Sequence, residues 1–190
     1  MRTGQDQARR GRWRPLRART AAATVAVLTL AGCGTAGSGA AVAPRPMSIS
    51  STAFLQGALA QQYTCHGVKV NPPLTWSGAP AGTKSFALIV DDSSAPITPY
   101  IYWLVFDINP GTTDIQQGSL PTGARQAQNS KGTPVYDPPC PSSHAHSYRF
   151  TIYALGRVLE LPNGAPLLSV WTAIAAATIG RGRIVVIGHA

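Results

Sequence analysis

The sequence has no apolar run long enough to cross a bilayer as a helix. Its longest candidate, AAATVAVLTLA at residues 21–31, falls well short of the ~20 residues that a hydrocarbon core demands. There is no Gly-x-Ser-x-Gly, no phosphate-binding P-loop and no Gly-x-Gly-x-x-Gly. Nothing therefore points to a serine hydrolase elbow, a P-loop NTPase or a dinucleotide enzyme, and no cofactor is expected. Internal repeats are missing, which removes solenoids and propellers. Charge is sparse, with 16 Lys+Arg and 7 Asp+Glu in 190 residues, and its excess is local. Residues 1–32 hold seven arginines and one acid, or +6 of the formal +9, and residues 33–190 hold nine basic against six acidic groups, or +3. Without a basic cluster after residue 33, nucleic acid is not an expected partner. Cysteine is scarce as well, at three.

What is present begins with a leader. An arginine-rich stretch precedes the short apolar run, and Leu30-Ala31-Gly32-Cys33 follows it. This order resembles the leader and lipobox of bacterial lipoproteins. The resemblance implies cleavage before Cys33, a lipid such as palmitate on Cys33, and a domain tethered to the extracytoplasmic face of the cell membrane. On this reading residues 1–32 are the signal peptide. Residues 33–47, rich in Gly, Ala, Ser and Pro, are a flexible tether, and residues 48–190 form one domain with room for a core. Cys65 and Cys140 remain as a pair. An oxidising compartment favours a disulfide between them, and two independent thiols are the alternative.

The folded part reads as mainly β. SFALIVDD (85–92), YIYWLVFDI (100–108), YRFTIYAL (148–155) and RIVVI (183–187) are rich in β-branched and aromatic residues. In the second, strict alternation puts Tyr100, Tyr102, Leu104, Phe106 and Ile108 on one face. Ile101, Trp103 and Val105 take the other, so both faces should be buried. One stretch has helical spacing, Leu167, Val170, Trp171, Ile174 and Thr178, with Pro166 to open it and Gly180 to close it. These elements predict a β-sandwich or similar sheet-on-sheet core with a C-terminal helix packed outside.

The chemistry concentrates in YDPPCPSSHAHSYRF (136–150), where prolines stiffen a loop that runs into a strand. Residues two apart share a strand face, so His146 and Tyr148 point the same way, with His144 joining them if the strand starts early. Imidazole and phenol both donate hydrogen bonds, a set suited to an anionic or hydroxyl-bearing ligand.

Three separated stretches resemble the phosphatidylethanolamine-binding protein (PEBP) family, in its bacterial Raf-kinase-inhibitor-like branch. They are YTCHGVKVNPPLTWSGAPAGTKSFALIV, DDSSAPITPYIYWLVFDI and YDPPCPSSHAHSYRFTIYAL, and together they cover about 48–188. The family's Asp-Pro-Asp-Ala-Pro turn corresponds to Asp92-Ser93-Ser94-Ala95-Pro96, and its His-Trp to Tyr102-Trp103. Its Gly-Pro-Cys-Pro-Pro and His-Arg-Tyr correspond to Pro138-Pro139-Cys140-Pro141-Ser142 and His146-Ser147-Tyr148. Asn129 and Gly132 match residues that precede this loop. The resemblance implies a small pocket for phosphate-like anions or a phospholipid headgroup. Asp92, Tyr102, His146 and Tyr148 would line it, and Pro96 and Pro139 would shape its wall. Tyr102 in place of histidine predicts weaker anion affinity or a shifted preference. Serine at both 94 and 147 looks compensatory, since it removes both partners of a family ion pair.

Three rival roles follow. A hydrolytic set of Asp92, His146 and Ser142 or Ser143 has no supporting spacing, so an enzyme is not expected. His144, His146 and Asp92 could hold a metal, a weaker reading than anion binding. A protein-partner module that inhibits a protease or other enzyme by contact is the principal alternative.

Overall fold

The computed structural model describes residues 43–95, 97–141 and 144–189. The leader, Cys33, most of the expected tether, Pro96, Ser142 and Ser143 lie outside the described residues. The elements are β1 (Arg45–Pro46), β2 (Ser48–Ser50), β3 (Phe54–Leu55), β4 (Ala58–Leu59), β5 (Leu74–Ser77), β6 (Ser85–Asp92), β7 (Tyr100–Ile108), β8 (Asp114–Ile115), β9 (Arg125–Gln126), β10 (His146–Leu155), α1 (Leu167–Ala177) and β11 (Thr178–Gly188).

A large sheet runs in the order β3-β4-β11-β10-β6-β7-β9, with β1 also paired to β11, and a small sheet runs β2-β5-β8. All eight residues of β6 are buried, as a strand covered on both faces requires. One face of the large sheet packs Phe86, Leu88, Val90, Phe150 and Ile152 against Leu74, Trp76 and Ile115 of the small sheet. The other packs Ala87, Ile89, Leu104 and Phe106 against Val170, Ile174 and Ala177 of α1. The domain is thus a mainly β, layered fold with the helix outside the sheets, as the sequence predicts.

Three details depart from expectation. Residues 45–47, read as tether, belong to the fold: Arg45 and Pro46 pair in parallel with Gly180 and Arg181, and Met47 is a buried core residue. Strict alternation fails in β7. The register against β6 shifts between Val90 and Asp91, leaving Tyr102 as an extra residue, and again beside Asp107. Such bulges re-aim side chains. Tyr102, Trp103, Val105 and Ile108 accordingly reach the core between the sheets, and Ile101, Leu104 and Phe106 reach the helix side. Asp107 adopts φ +54°, and its carboxylate accepts from the amides of Leu159 (2.7 Å) and Glu160 (3.2 Å). Pro166 does open α1, but Gly180 does not close it: the backbone turns extended at Thr178 and continues as β11. Gly180 is instead needed inside β11, where a Cβ would sit 2.8 Å from the Pro80 side chain.

Cys65 and Cys140 form a disulfide. It ties the proline-rich loop to the 3-10 turn at Gln61–Tyr63. Two hydrogen bonds reinforce the tie, from the Cys65 amide to the Pro139 carbonyl (2.9 Å) and from the Tyr136 hydroxyl to the Tyr63 carbonyl (3.1 Å).

Candidate functional site

The site is built where β6 ends, β7 begins and β10 begins. Two acids close β6, and the period-two geometry of a strand sends them to opposite faces. In register, Asp92 opposes Tyr148 and Asp91 opposes Arg149. Asp91 serves the helix side, where Arg149 Nε donates to its Oδ2 at 2.8 Å and Arg149 Nη2 donates to the same oxygen. That bond to Asp91 is the main reason the Arg149 guanidinium holds its proton more tightly than usual. Asp92 serves the other face. Its Oδ2 lies 2.7 Å from His146 Nδ1, and its Oδ1 accepts from the Ser94 amide at 2.7 Å. The Asp92 side chain is 5% exposed and that of His146 is 29% exposed. Engagement of Nδ1 by the carboxylate leaves Nε2 for another partner.

His146 and Tyr148 share a face, as their spacing predicts. Their rings stack within 6° of parallel at 6.0 Å. The bulge at 102 brings Tyr102 edge-on to Tyr148 at 5.6 Å, and Tyr100 leans on Tyr102 at 4.7 Å. Tyr148 is fully buried, so the polar floor lies beneath His146 rather than open to solvent. Its hydroxyl is buried as well and has no hydrogen-bond partner among the described residues. Gly188, which opposes His146 on β11, makes room for the Tyr148 ring. A Cβ there would come within 2.3 Å of Tyr148 Cε2.

Of the expected site residues, the structure brings together Asp92, Tyr102, His146 and Tyr148. Pro139 is buried in the loop behind them and fixes the rim through its carbonyl bond to Cys65. His144 is exposed and precedes β10, so the strand does not start early enough to align it with His146. A metal set of His144, His146 and Asp92 does not assemble among the described residues, where the grouping of possible ligand atoms is Cys65, His66 and Cys140. Both of those sulfurs are spent in the disulfide. Positions 94 and 147 do meet, with the Ser147 amide donating to the Ser94 hydroxyl at 2.9 Å. Ser94 is exposed, however. An aspartate there would be solvated and would leave no buried charge unpaired, which corrects the stability argument for a paired loss.

Sequence reasoning missed a second polar knot beside Tyr100 and Tyr102. Asp137 is buried, accepts from the Tyr100 hydroxyl (2.9 Å) and Lys131 Nζ (2.7 Å), and donates its amide to the Tyr102 carbonyl (3.0 Å). The matching residues Asn129 and Gly132 shape its approach. Asn129 Oδ1 accepts from the Lys131 and Thr133 amides at 2.9 and 3.1 Å, and Gly132 takes φ +80°. The one local signal for this knot was an acid between Tyr136 and Pro138, which proline-rich loops also carry without such a role.

The tyrosines are held neutral. Burial first, then the Asp92 charge, pushes the Tyr148 hydroxyl up to about 12; the Tyr102 hydroxyl, approaching the Tyr148 oxygen as a donor, offsets part of this rise. Tyr100 also rises to about 12, from burial and then the bond to Asp137. Burial raises Tyr102 and Tyr136 further still. Since an unfolded tyrosine ionises near ~10, the folded state binds more protons above that pH. Stability from Tyr100 and Tyr148 should be fully present below pH ~10 and lost as pH rises through about 12, while that from Tyr102 and Tyr136 persists to higher pH still. A base titration followed by tyrosinate absorbance and circular dichroism should show these rings ionising together with unfolding. Ionisation of all six tyrosines near pH ~10 in a still-folded protein would contradict the burial argument.

The sequence profile described as phosphatidylethanolamine-binding protein matches residues 49–188. A protein of the archaeon Methanothermobacter thermautotrophicus is 38% identical over 145 residues, spanning 73% of this chain and 96% of its own. A Mycobacterium tuberculosis protein named as a lipoprotein, LppC, is 42% identical over 148 residues, spanning 76% of this chain and 73% of its own. Among solved structures, a PEBP homologue of Chlamydia trachomatis superposes with a TM-score of 0.67 at 31% identity. It covers 76% of this chain and 96% of its own.

Proposed function

Because the chain belongs to the phosphatidylethanolamine-binding protein family, we propose that it binds a small phosphate-bearing anion, free or as a phospholipid headgroup. The ligand sits between the His146–Asp92 pair and the phenols of Tyr102 and Tyr148. We place this activity at the extracytoplasmic face of a bacterial membrane, with a lipid on Cys33 as the anchor; the lipobox-like LAGC and the lipoprotein name of LppC support that placement.

The observation that carries the reading is the Tyr148 hydroxyl. A buried donor without a partner costs ~1–3 kcal/mol, and this one lies beside a half-buried imidazole in the family's pocket position. An acceptor oxygen that arrives past His146 satisfies it. The Asp92 carboxylate is consumed by His146 and by the Ser94 amide, so donors rather than the carboxylate meet the anion. The site in this reading binds and does not turn over, and an active-site phosphonate should leave the protein unlabelled.

Tyr148→Phe tests the reading with opposed effects. The unliganded protein should gain about 1 kcal/mol of stability, because an unsatisfied hydroxyl is removed and the ring retained. Its affinity for inorganic phosphate or phosphoethanolamine by calorimetry should fall roughly tenfold or more, the worth of one hydrogen bond to a charged group. Wild-type protein that gives no binding heat with either probe, or a Phe variant that binds both unchanged, removes the proposal.

A further inference from the structure

The helix side of the large sheet carries a surface that the pocket does not use. α1 has the sequence LLSVWTAIAAA, with no charged residue in its eleven positions. It leaves Leu168 75% and Trp171 36% exposed. Trp171 borders two grooves. One, of about 360 Å³, runs between Leu167, Leu168 and the Thr98–Pro99 segment, next to the exposed Ile97. The other, of about 260 Å³, lies between Trp171, Tyr153, Pro44 and Arg181. Scattered exposed apolar residues need no explanation, but a contiguous set does.

Charge and connectivity say what this surface meets. Tyr153 and Thr151 oppose Arg181 and Arg183 across β10 and β11, and Arg183 Nε donates to the Thr151 hydroxyl at 2.9 Å. Both arginines are exposed, and neither has a salt-bridge partner among the described residues. The buried acid of this face, Asp91, is taken by Arg149. A cationic strip therefore flanks the apolar helix, the combination that favours an anionic lipid surface. The chain also enters the domain here, because Pro44 shares a groove with Trp171. Nine residues separate Cys33 from Ala43, a stretch that spans at most about 35 Å when fully extended.

We propose that the α1 face is a docking surface for an anionic bilayer, with Leu168, Trp171 and Ile97 in the interface and Arg181 and Arg183 against its headgroups. This rests on the lipid-anchor reading above. The anchored domain then lies on its side. The segment from Asp92 to Tyr100 joins the two sites, with Ser94 beside the pocket strand and Ile97 to Pro99 on the bilayer side.

The test uses the full chain, lipidated in a bacterial host and reconstituted into vesicles of phosphatidylcholine and phosphatidylglycerol. A fluorophore is placed at Leu168→Cys or, as control, at Ser119→Cys, an exposed loop residue beside the small sheet. Brominated lipids should quench the label at 168 by about twofold or more, as for an interfacial helix, and leave the label at 119 unchanged. Arg181→Glu with Arg183→Glu should return the label at 168 to the control level while the protein still floats with the vesicles. Flotation with equal or absent quenching at both labels overturns the docking surface and leaves the anchor standing. Failure to float overturns both. Concentration-dependent self-quenching at 168 without quenching by brominated lipid assigns the face to a second copy of the chain and also overturns the proposal.

Discussion

Reduction of the Cys65–Cys140 disulfide is expected to lower the unfolding free energy by about 4 kcal/mol. The bond spans 75 residues, and closure of a loop of that length restricts the unfolded chain by about this amount on the entropy account. The structural consequence is local. Without the bond, the Pro139 rim is held to the 3-10 turn by the Cys65 amide and by the Tyr136 hydroxyl. Each is worth ~1 kcal/mol net, too little to fix a loop that also positions the start of β10. Phosphate affinity should therefore fall along with stability. Urea titrations with and without reductant would measure the loss, and the double variant Cys65→Ser/Cys140→Ser should match the reduced wild type. A shift below ~1 kcal/mol would mean that the hydrogen bonds alone organise the rim.

The second large effect is expected at Arg149→Ala, a residue outside the proposed binding site. Asp91 is 2% exposed, and Arg149 is its charge partner among the described residues. Removal of one partner of a buried pair typically costs ~3–5 kcal/mol, since the remaining charge keeps its desolvation penalty without the compensating contact. Replacement of both partners by apolar residues of similar size, as in Arg149→Met with Asp91→Leu, should recover most of that loss. Lys131→Ala is the contrast: its side chain is 62% exposed at 2.7 Å from Asp137, and without it the Asp137 carboxylate keeps the Tyr100 hydroxyl as a donor, so the loss should be the smaller of the two. A chemical-denaturation series on the three variants checks the order. Equal losses for Arg149→Ala and Lys131→Ala would refute the burial argument.

The long strands were legible because each is a dense apolar run between prolines and glycines, and β6 and β7 have the bounds read from sequence. The facing of β7 was not legible. With both faces apolar, the pattern carries no phase, and nothing in YIYWLVFDI marks Tyr102 or Asp107 as the extra residue. The two- and three-residue strands of the small sheet exist through pairing partners distant in the chain, so no local window holds their signal. The junction at Ala177–Thr178 was misplaced for a related reason: helix gives way to strand without the glycine that usually marks an end. In the site, Asp92, His146 and Tyr148 were found because strand phase and motif order agreed. Asp137, Gly188 and the Asp91–Arg149 pair were not, since each acquires its role from a neighbour on another strand. Gly188 shows this most simply: its need for a bare backbone is set by a tyrosine 40 positions earlier.

The parallel pairing of Arg45 and Pro46 with Gly180 and Arg181 has a mechanical consequence. Tension along the N-terminal segment pulls β1 lengthwise against β11, which loads their hydrogen bonds and the Met47 amide bond to Arg181 at once rather than in sequence. Met47 itself is seated in the core, with its carbonyl against Gly182, where a side chain would collide at 2.6 Å. A pull from the N-terminal side of Arg45 is therefore met by a plug and a shear clamp, not by a seam that can be unzipped.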